Sequence, residues 1–181
     1  MSHSVAEVAR LAATVVLLAE GKVAAIGTVS EVMGRIDLFP LTGAQEGGAV
    51  LEARVGGHDA AAGLTRLDSQ AGPIRVPLFE GPIGEHVRIR IRARDVILAT
   101  ARPSGISALN ILAGTVTAIQ TTDGPLAVVG VDCGGAPLLA RLTRKSVGDL
   151  GLAPGVRVYA IVKSVAFEGR GIGRFAESAD S

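Results

Sequence analysis

Gly114-Thr115-Val116-Thr117-Ala118-Ile119, then Thr122-Asp123-Gly124, then Leu126-Ala127-Val128-Val129-Gly130-Val131-Asp132 is the passage that decides the fold. Two apolar, β-branched runs flank an Asp-Gly turn, which predicts a β-hairpin. Gly134-Gly135 turns the chain again into Leu138 to Leu142, a third strand. Thr143 stands where an N-cap would, Ser146 to Leu150 has room for a short helix, and Gly151 is a stop signal. Pro154-Gly155 leads into a strand expected over Val156 to Phe167, with Val156, Val158, Ala160 and Val162 alternating against Arg157, Tyr159, Ile161 and Lys163. Strands interrupted by one short helix before the last strand predict an OB-like barrel.

The same all-β style extends upstream. Val50 to Val55, Leu64 to Leu67, Ile74 to Val76, Val87 to Ala93 and Val96 to Ala99 are short strand-like runs separated by glycines and prolines. Phe39 to Gly48, with Pro40, Gly43, Gly47 and Gly48, reads as a loop or linker. Before it, Ser4-Val5-Ala6-Glu7 has capping-box spacing, Thr14 to Leu18 and Lys22 to Ile26 form a hairpin about Glu20-Gly21, and Thr28-Val29-Ser30-Glu31 caps a second short helix with Val32 and Met33. Helix, hairpin and helix in under forty residues leave apolar faces uncovered. The expected fold is mainly β, with a short α/β remnant at the N-terminus. The division is 1–38, a linker at 39–48, a first β part at 49–104, the barrel at 105–168 and a flexible tail at 169–181.

Composition restricts the partner. With 48% hydrophobic residues in 181 the chain can bury a core, and a net charge of +1 supplies no field to gather nucleic acid or acidic lipid. Cys133 is alone, which excludes an intrachain disulfide, and no Cys-His metal spacing occurs. The stretch Ala12 to Ala19 is too short to span a bilayer, and a cytoplasmic location is expected. Val87 to Arg94 alternates apolar residues with Arg88, Arg90, Arg92 and Arg94. A phosphate-tracking ridge and a salt-bridged outer face both fit that pattern. The second is favoured, because nucleic-acid ridges come with interleaved rings and only 3% of residues are aromatic.

No nucleophile-base-acid set is visible, and His3, His58 and His86 lie far apart, each read as a solvated surface histidine. No phosphate loop or dinucleotide fingerprint occurs. The positive signal is a set of donors: Ser107 with the following backbone, Lys145-Ser146 at the short helix, and Lys163-Ser164 at a strand end. Hydroxyls, free NH groups and ammonium groups are what a tetrahedral dianion needs, although serines and lysines also populate turns for no other reason.

Ser107-Ala108-Leu109-Asn110, Gly114-Thr115-Val116, Leu142-Thr143-Arg144-Lys145-Ser146-Val147 and Gly155 through Val165 together resemble a Mop domain, the molbindin-type or TOBE module. The resemblance implies an oxyanion, molybdate or tungstate, held at subunit or repeat interfaces. The implied ligands are Ser107, Ser146 and Lys163, with Ala108, Lys145 and Ser164 as further donors. Leu109 stands where the family motif often has arginine, which removes a charged ligand. Ser2-His3-Ser4, Glu7-Val8, Leu11-Ala12 and the hairpin are similar to the end of an ABC nucleotide-binding domain, with His3 as its switch histidine. With Ile91 to Val96 included, the chain is similar to the C-terminal half of a molybdate importer's ATP-binding subunit. Residues 1–38 would be the nucleotide-binding remnant and 105–168 the Mop domain. The resemblance implies a homodimer and a membrane permease as partners, at the inner face of the membrane. The Walker and signature motifs are absent from the sequence, so no complete ATP site and no hydrolysis are expected.

Overall fold

The computed structural model describes residues 8, 12–42, 47–121, 124–167 and 172–174. Among them, one hairpin and two five-stranded antiparallel sheets carry the architecture. The hairpin is β1 (Thr14–Ala19) and β2 (Lys22–Thr28), joined at Glu20 and Gly21 with φ of 51° and 75°. Both positive values give the turn whose twist matches its strands. α1 (Val29–Gly34) follows with the expected capping box: the Glu31 NH donates to Thr28 Oγ1 at 3.3 Å, and the Thr28 NH to Glu31 Oε2 at 2.8 Å. The Thr28 NH, and the Thr28 hydroxyl donating to the same Oε2 at 2.9 Å, hold the Glu31 carboxyl below its ordinary range. Of the expected first helix, read from Val5, Val8, Leu11 and Ala12, only Val8 and Ala12 lie among the described residues, and the Ala12 NH donates to the Val8 carbonyl at 3.0 Å.

One face of this unit packs Val29 and Met33 on Val50. The other is exposed and apolar, because Val16 opposes Ile26 and Leu18 opposes Val23 across the hairpin. The expected linker starts as packed structure. A 3-10 turn at Ile36–Leu38 runs into α2 (Phe39–Thr42), and Phe39 is buried against Ala93, Val128 and Leu139. A phenyl ring that finds this pocket outweighs the breaker signals, and Pro40 is tolerated in a first helical turn.

The first half of the barrel region contains β3 (Gly48–Asp59), β4 (Leu64–Ser69), β5 (Gly72–Pro77), β6 (His86–Arg92) and β7 (Ile97–Ala99). The second contains β8 (Asn110–Thr121), β9 (Leu126–Cys133), β10 (Ala136–Thr143), α3 (Arg144–Asp149), β11 (Arg157–Val162) and β12 (Ile172–Arg174). Gly134 and Gly135, at φ of 67° and 90°, make the tight β9–β10 turn. Thr143 caps α3 as expected, its Oγ1 accepting from the Ser146 NH at 3.0 Å.

Strand order is β12-β6-β3-β4-β5 in one sheet and β7-β11-β8-β9-β10 in the other. Each half therefore lends its last strand to the other half's sheet. One core results: Leu51, Val55, Leu67, Ile74 and Ile89 from the first half pack in a single cluster with Leu112, Val116, Val131, Leu138 and Val158 from the second. Two expectations change here. The last long strand ends at Val162 rather than Phe167, because a 3-10 turn at Ser164–Phe167 carries Phe167 into the shared core. Residues 172–174, expected in a flexible tail, pair with β6.

Arg88, Arg92 and Arg94 of the arginine row are ion-paired. Arg88 is 7% exposed, reaches Glu52 Oε1 at 3.3 Å and donates to the Ala12 carbonyl, while Arg92 Nε lies 2.6 Å from Asp95 Oδ2. Cys133 is buried, and burial, aided by the Asp132 charge, pushes its thiol up to about 12. Thiolate is the reactive form. Native protein at pH 8 is thus expected to resist a disulfide reagent, with reaction appearing only in denaturant; stoichiometric labelling of folded protein within minutes would contradict this.

Candidate functional site

Strand register decides which donors meet. On adjacent antiparallel strands Asn110 of β8 faces Val162 of β11. Ser107, Ala108 and Leu109, just before Asn110, and Lys163 and Ser164, just after Val162, therefore leave the sheet at the same end. Ser107 and Lys163 are exposed, Ala108 is buried, and Leu109 is half-exposed at 44%. The Ser164 hydroxyl is buried, and it has no hydrogen-bond partner among the described residues. A buried unpaired hydroxyl costs about 1–3 kcal/mol, which a ligand oxygen would recover.

Asn110 sets this end in place. It is 1% exposed; its Oδ1 accepts from the Arg75 NH at 2.6 Å and its Nδ2 donates to the Arg75 carbonyl at 2.9 Å. One carboxamide thus pairs with the backbone of β5 in the opposite sheet as a neighbouring strand would. The turn carrying Ser164 packs on β5 and β6 as well. Donors from the second half are in this way pressed against the first.

Lys145 and Ser146 lie elsewhere. Thr143 of β10 faces Leu126 of β9, and the adjacent Ala127 faces Thr121, the far end of β8 from Asn110. The Arg144 NH donates to the Pro125 carbonyl at 2.8 Å, fixing the start of α3 there. Twelve-residue β8 puts about 35 Å of strand between the two ends at ~3.3 Å per residue. Lys145 Nζ is 2.7 Å from Asp149 Oδ2 in an exposed i,i+4 pair, a contact worth well under about 1 kcal/mol. The Ser146 hydroxyl shares a hydrogen bond with Thr143 Oγ1 at 2.8 Å. Within one chain, register thus gathers Ser107, Ala108, Leu109, Lys163 and Ser164, and holds Lys145 and Ser146 apart.

His3 lies outside the described residues. His58 is structural rather than simply solvated: its ring nitrogens lie 2.9 Å from Thr65 Oγ1 and 2.8 Å from the Gly81 carbonyl, and Phe79 meets its ring edge-on. Among the described residues no group of three or more His, Cys, Asp or Glu side chains converges as a metal site. No helix among them is long and apolar enough to cross a membrane. The residue that sequence reasoning underused is Asn110, where an amide opening an otherwise apolar strand was the available signal.

Paired OB-like barrels with donors at the β8–β11 end define a class, and residues 106–167 match the family model described as the TOBE domain. The chain carries a TOBE domain and is a relative of the molybdenum import ATP-binding proteins. It is 55% identical over 93% of its length to "Molybdenum import ATP-binding protein ModC" of Mesorhizobium japonicum, covering 45% of that protein. With the protein of the same name from Rhodospirillum rubrum it shares 44% identity over 92% of the chain and 46% of the relative. The chain thus spans about half the length of the curated relatives it matches. Among solved structures, the cytoplasmic molybdate-binding protein ModG with molybdate bound superposes with a TM-score of 0.58 at 26% identity, over 64% of this chain and 89% of that one.

Proposed function

We propose that this chain is the oxyanion-sensing regulatory part of a molybdate import system, binding molybdate or tungstate through Ser107, the Ala108 and Leu109 backbone, Lys163 and Ser164. What supports the reading is that the segments carrying these groups leave the sheet at one end of β8–β11, where the Ser164 hydroxyl is buried with no partner among the described residues. The Lys163 ammonium supplies charge, and the hydroxyls and backbone NH groups supply directed donors.

Ser146, at the far end of β8, joins such a site from a second copy of the chain, so the ligand is shared across a homodimer. A ligand that prefers one dimer arrangement shifts the population toward it. The relatives' names support placing that dimer on the ATP-binding subunit of an importer, at the cytoplasmic face beside a permease. The exposed Val16, Leu18, Val23 and Ile26 face supports reading 1–38 as part of a nucleotide-binding domain. The extensive match to ModG supports a second reading, a stand-alone molybdate store.

Isothermal titration of molybdate, tungstate and sulfate tests the proposal. Saturable heat is expected with the first two and none with sulfate. Lys163→Ala and Ser107→Ala are expected to weaken binding about 10-fold or more, the scale of one lost charged or directed hydrogen bond. Leu109→Arg, at a half-exposed position with room for a longer side chain, should tighten it about 10- to 100-fold. Equal heats with sulfate, or affinity indifferent to Lys163, would refute the proposal.

A further inference from the structure

The two halves repeat one plan. β3, β4, β5, β6, a 3-10 turn and β7 correspond in order and pairing to β8, β9, β10, β11, a 3-10 turn and β12. The packing repeats too, since the first turn lies on β10 and the second on β5. Register aligns them in detail. The Ala93 NH donates to the Gly47 carbonyl at 3.0 Å where β6 leaves β3, as Val162 faces Asn110 where β11 leaves β8. Ile89 and Ile91 lie in the shared core as Val158 and Ala160 do, and Ala93 is buried as Val162 is, although against Phe39, Val128 and Leu139. Arg94 and Asp95 therefore occupy in the first half the positions of Lys163 and Ser164 in the second.

The chemistry at these matched positions is opposite. In the second half an exposed ammonium stands beside a buried hydroxyl that has no hydrogen-bond partner among the described residues. In the first, the Asp95 carboxylate lies between two guanidinium groups, 2.6 Å from Arg92 Nε and 4.0 Å from Arg94 Nε, with its side chain 23% exposed. Arg92 matches Ile161, so a second cation has been added beside the carboxylate. The Asp95 carboxylate takes a charged hydrogen bond from Arg92 through one oxygen and stands within ion-pair distance of Arg94 through the other, so it presents to these cations the negative oxygens an oxyanion would present.

We infer that Asp95 is a built-in substitute for the oxyanion in the first half, so that each chain takes up one oxyanion, at Lys163 and Ser164, rather than two. The inference rests on the oxyanion-binding reading above. Asp95 repels an incoming dianion and occupies the cations that would attract it. Removing that carboxylate takes from Arg92 the partner it holds at 2.6 Å and leaves its guanidinium to an external anion.

Equilibrium dialysis of the full chain against molybdate, with protein counted by absorbance, tests the inference. Wild type is expected to bind one ion per chain, and Lys163→Ala none at the same concentration. Asp95→Ser, with Asp95→Asn as the near-isosteric alternative should the serine variant unfold, is expected to bind a second ion more weakly. The Asp95→Ser, Lys163→Ala double variant should keep that weaker ion alone. Two ions per wild-type chain would overturn the inference and leave the oxyanion-binding reading standing, whereas none would overturn both. Folded Asp95 variants that still bind only one ion would show that Asp95 is not what closes the first half.

Discussion

Asn110→Ala is expected to lower the free energy of unfolding by about 2–4 kcal/mol. The carboxamide is nearly fully buried and makes both of its hydrogen bonds to one residue's backbone, the NH and carbonyl of Arg75. Truncation leaves that donor and that acceptor without partners, each at a cost of about 1–3 kcal/mol, and adds a small void. Asn110→Asp keeps the acceptor but turns a second oxygen toward the Arg75 carbonyl, so it should not rescue the loss. Urea unfolding followed by circular dichroism reads the change as a midpoint about 1–2 M lower. A midpoint within error of wild type would mean that the clasp between the sheets carries no stability. Because the clasp also fixes the end of β8 where Ser107 and Lys163 emerge, weakened molybdate binding should accompany it.

Residues 105–181 expressed alone are expected to yield no folded monomer. Boundary placement at 104/105 follows the repeat, yet the core does not respect it. Leu112, Val116, Val131 and Val158 pack against Leu51, Val55, Leu67 and Ile89. Burying each such side chain is worth about 1.5–3 kcal/mol, and several lost together exceed the ~5–15 kcal/mol net stability of a domain. The isolated half also loses β7 from the edge of β11. Size-exclusion chromatography with thermal unfolding decides the matter. The fragment should be unfolded, or else recovered as a dimer in which a second copy replaces the missing half. A monomer with a sharp unfolding transition would contradict the shared core.

Much of this was legible in the residues, and the failures have physical causes. Turn chemistry located the hairpins, because Glu20-Gly21 and Gly134-Gly135 adopt the positive φ values their types favour. Thr28 and Thr143 marked helix starts because each hydroxyl serves an NH three residues on. Long-range register was not legible, since pairing partners dozens of residues apart leave no local signal. Local spacing thus does not show that, within one chain, β8 separates Lys145 and Ser146 from Ser107 and Lys163. Strand exchange was hidden for the same reason. β7 is only Ile97–Ala99, and the Gly-rich composition around β12 reads as loop until β6 is there to pair with it. Phe39 was masked by the prolines and glycines around it, whose breaker signals act locally while its burial depends on Val128 and Leu139.

The exchange of end strands also sets a timetable for synthesis. β6 is made early, but its outer neighbour β12 lies roughly 85 residues later, which at about 5–20 residues per second leaves that edge bare for several seconds on the ribosome. A bare edge invites pairing with any nascent chain nearby, and charge along it is the usual defence. Arg88, Arg90 and Arg92 stand along β6, the strand left waiting. The arginines of this strand, of which Arg88 and Arg92 are ion-paired in the finished protein, thus also guard an unfinished one.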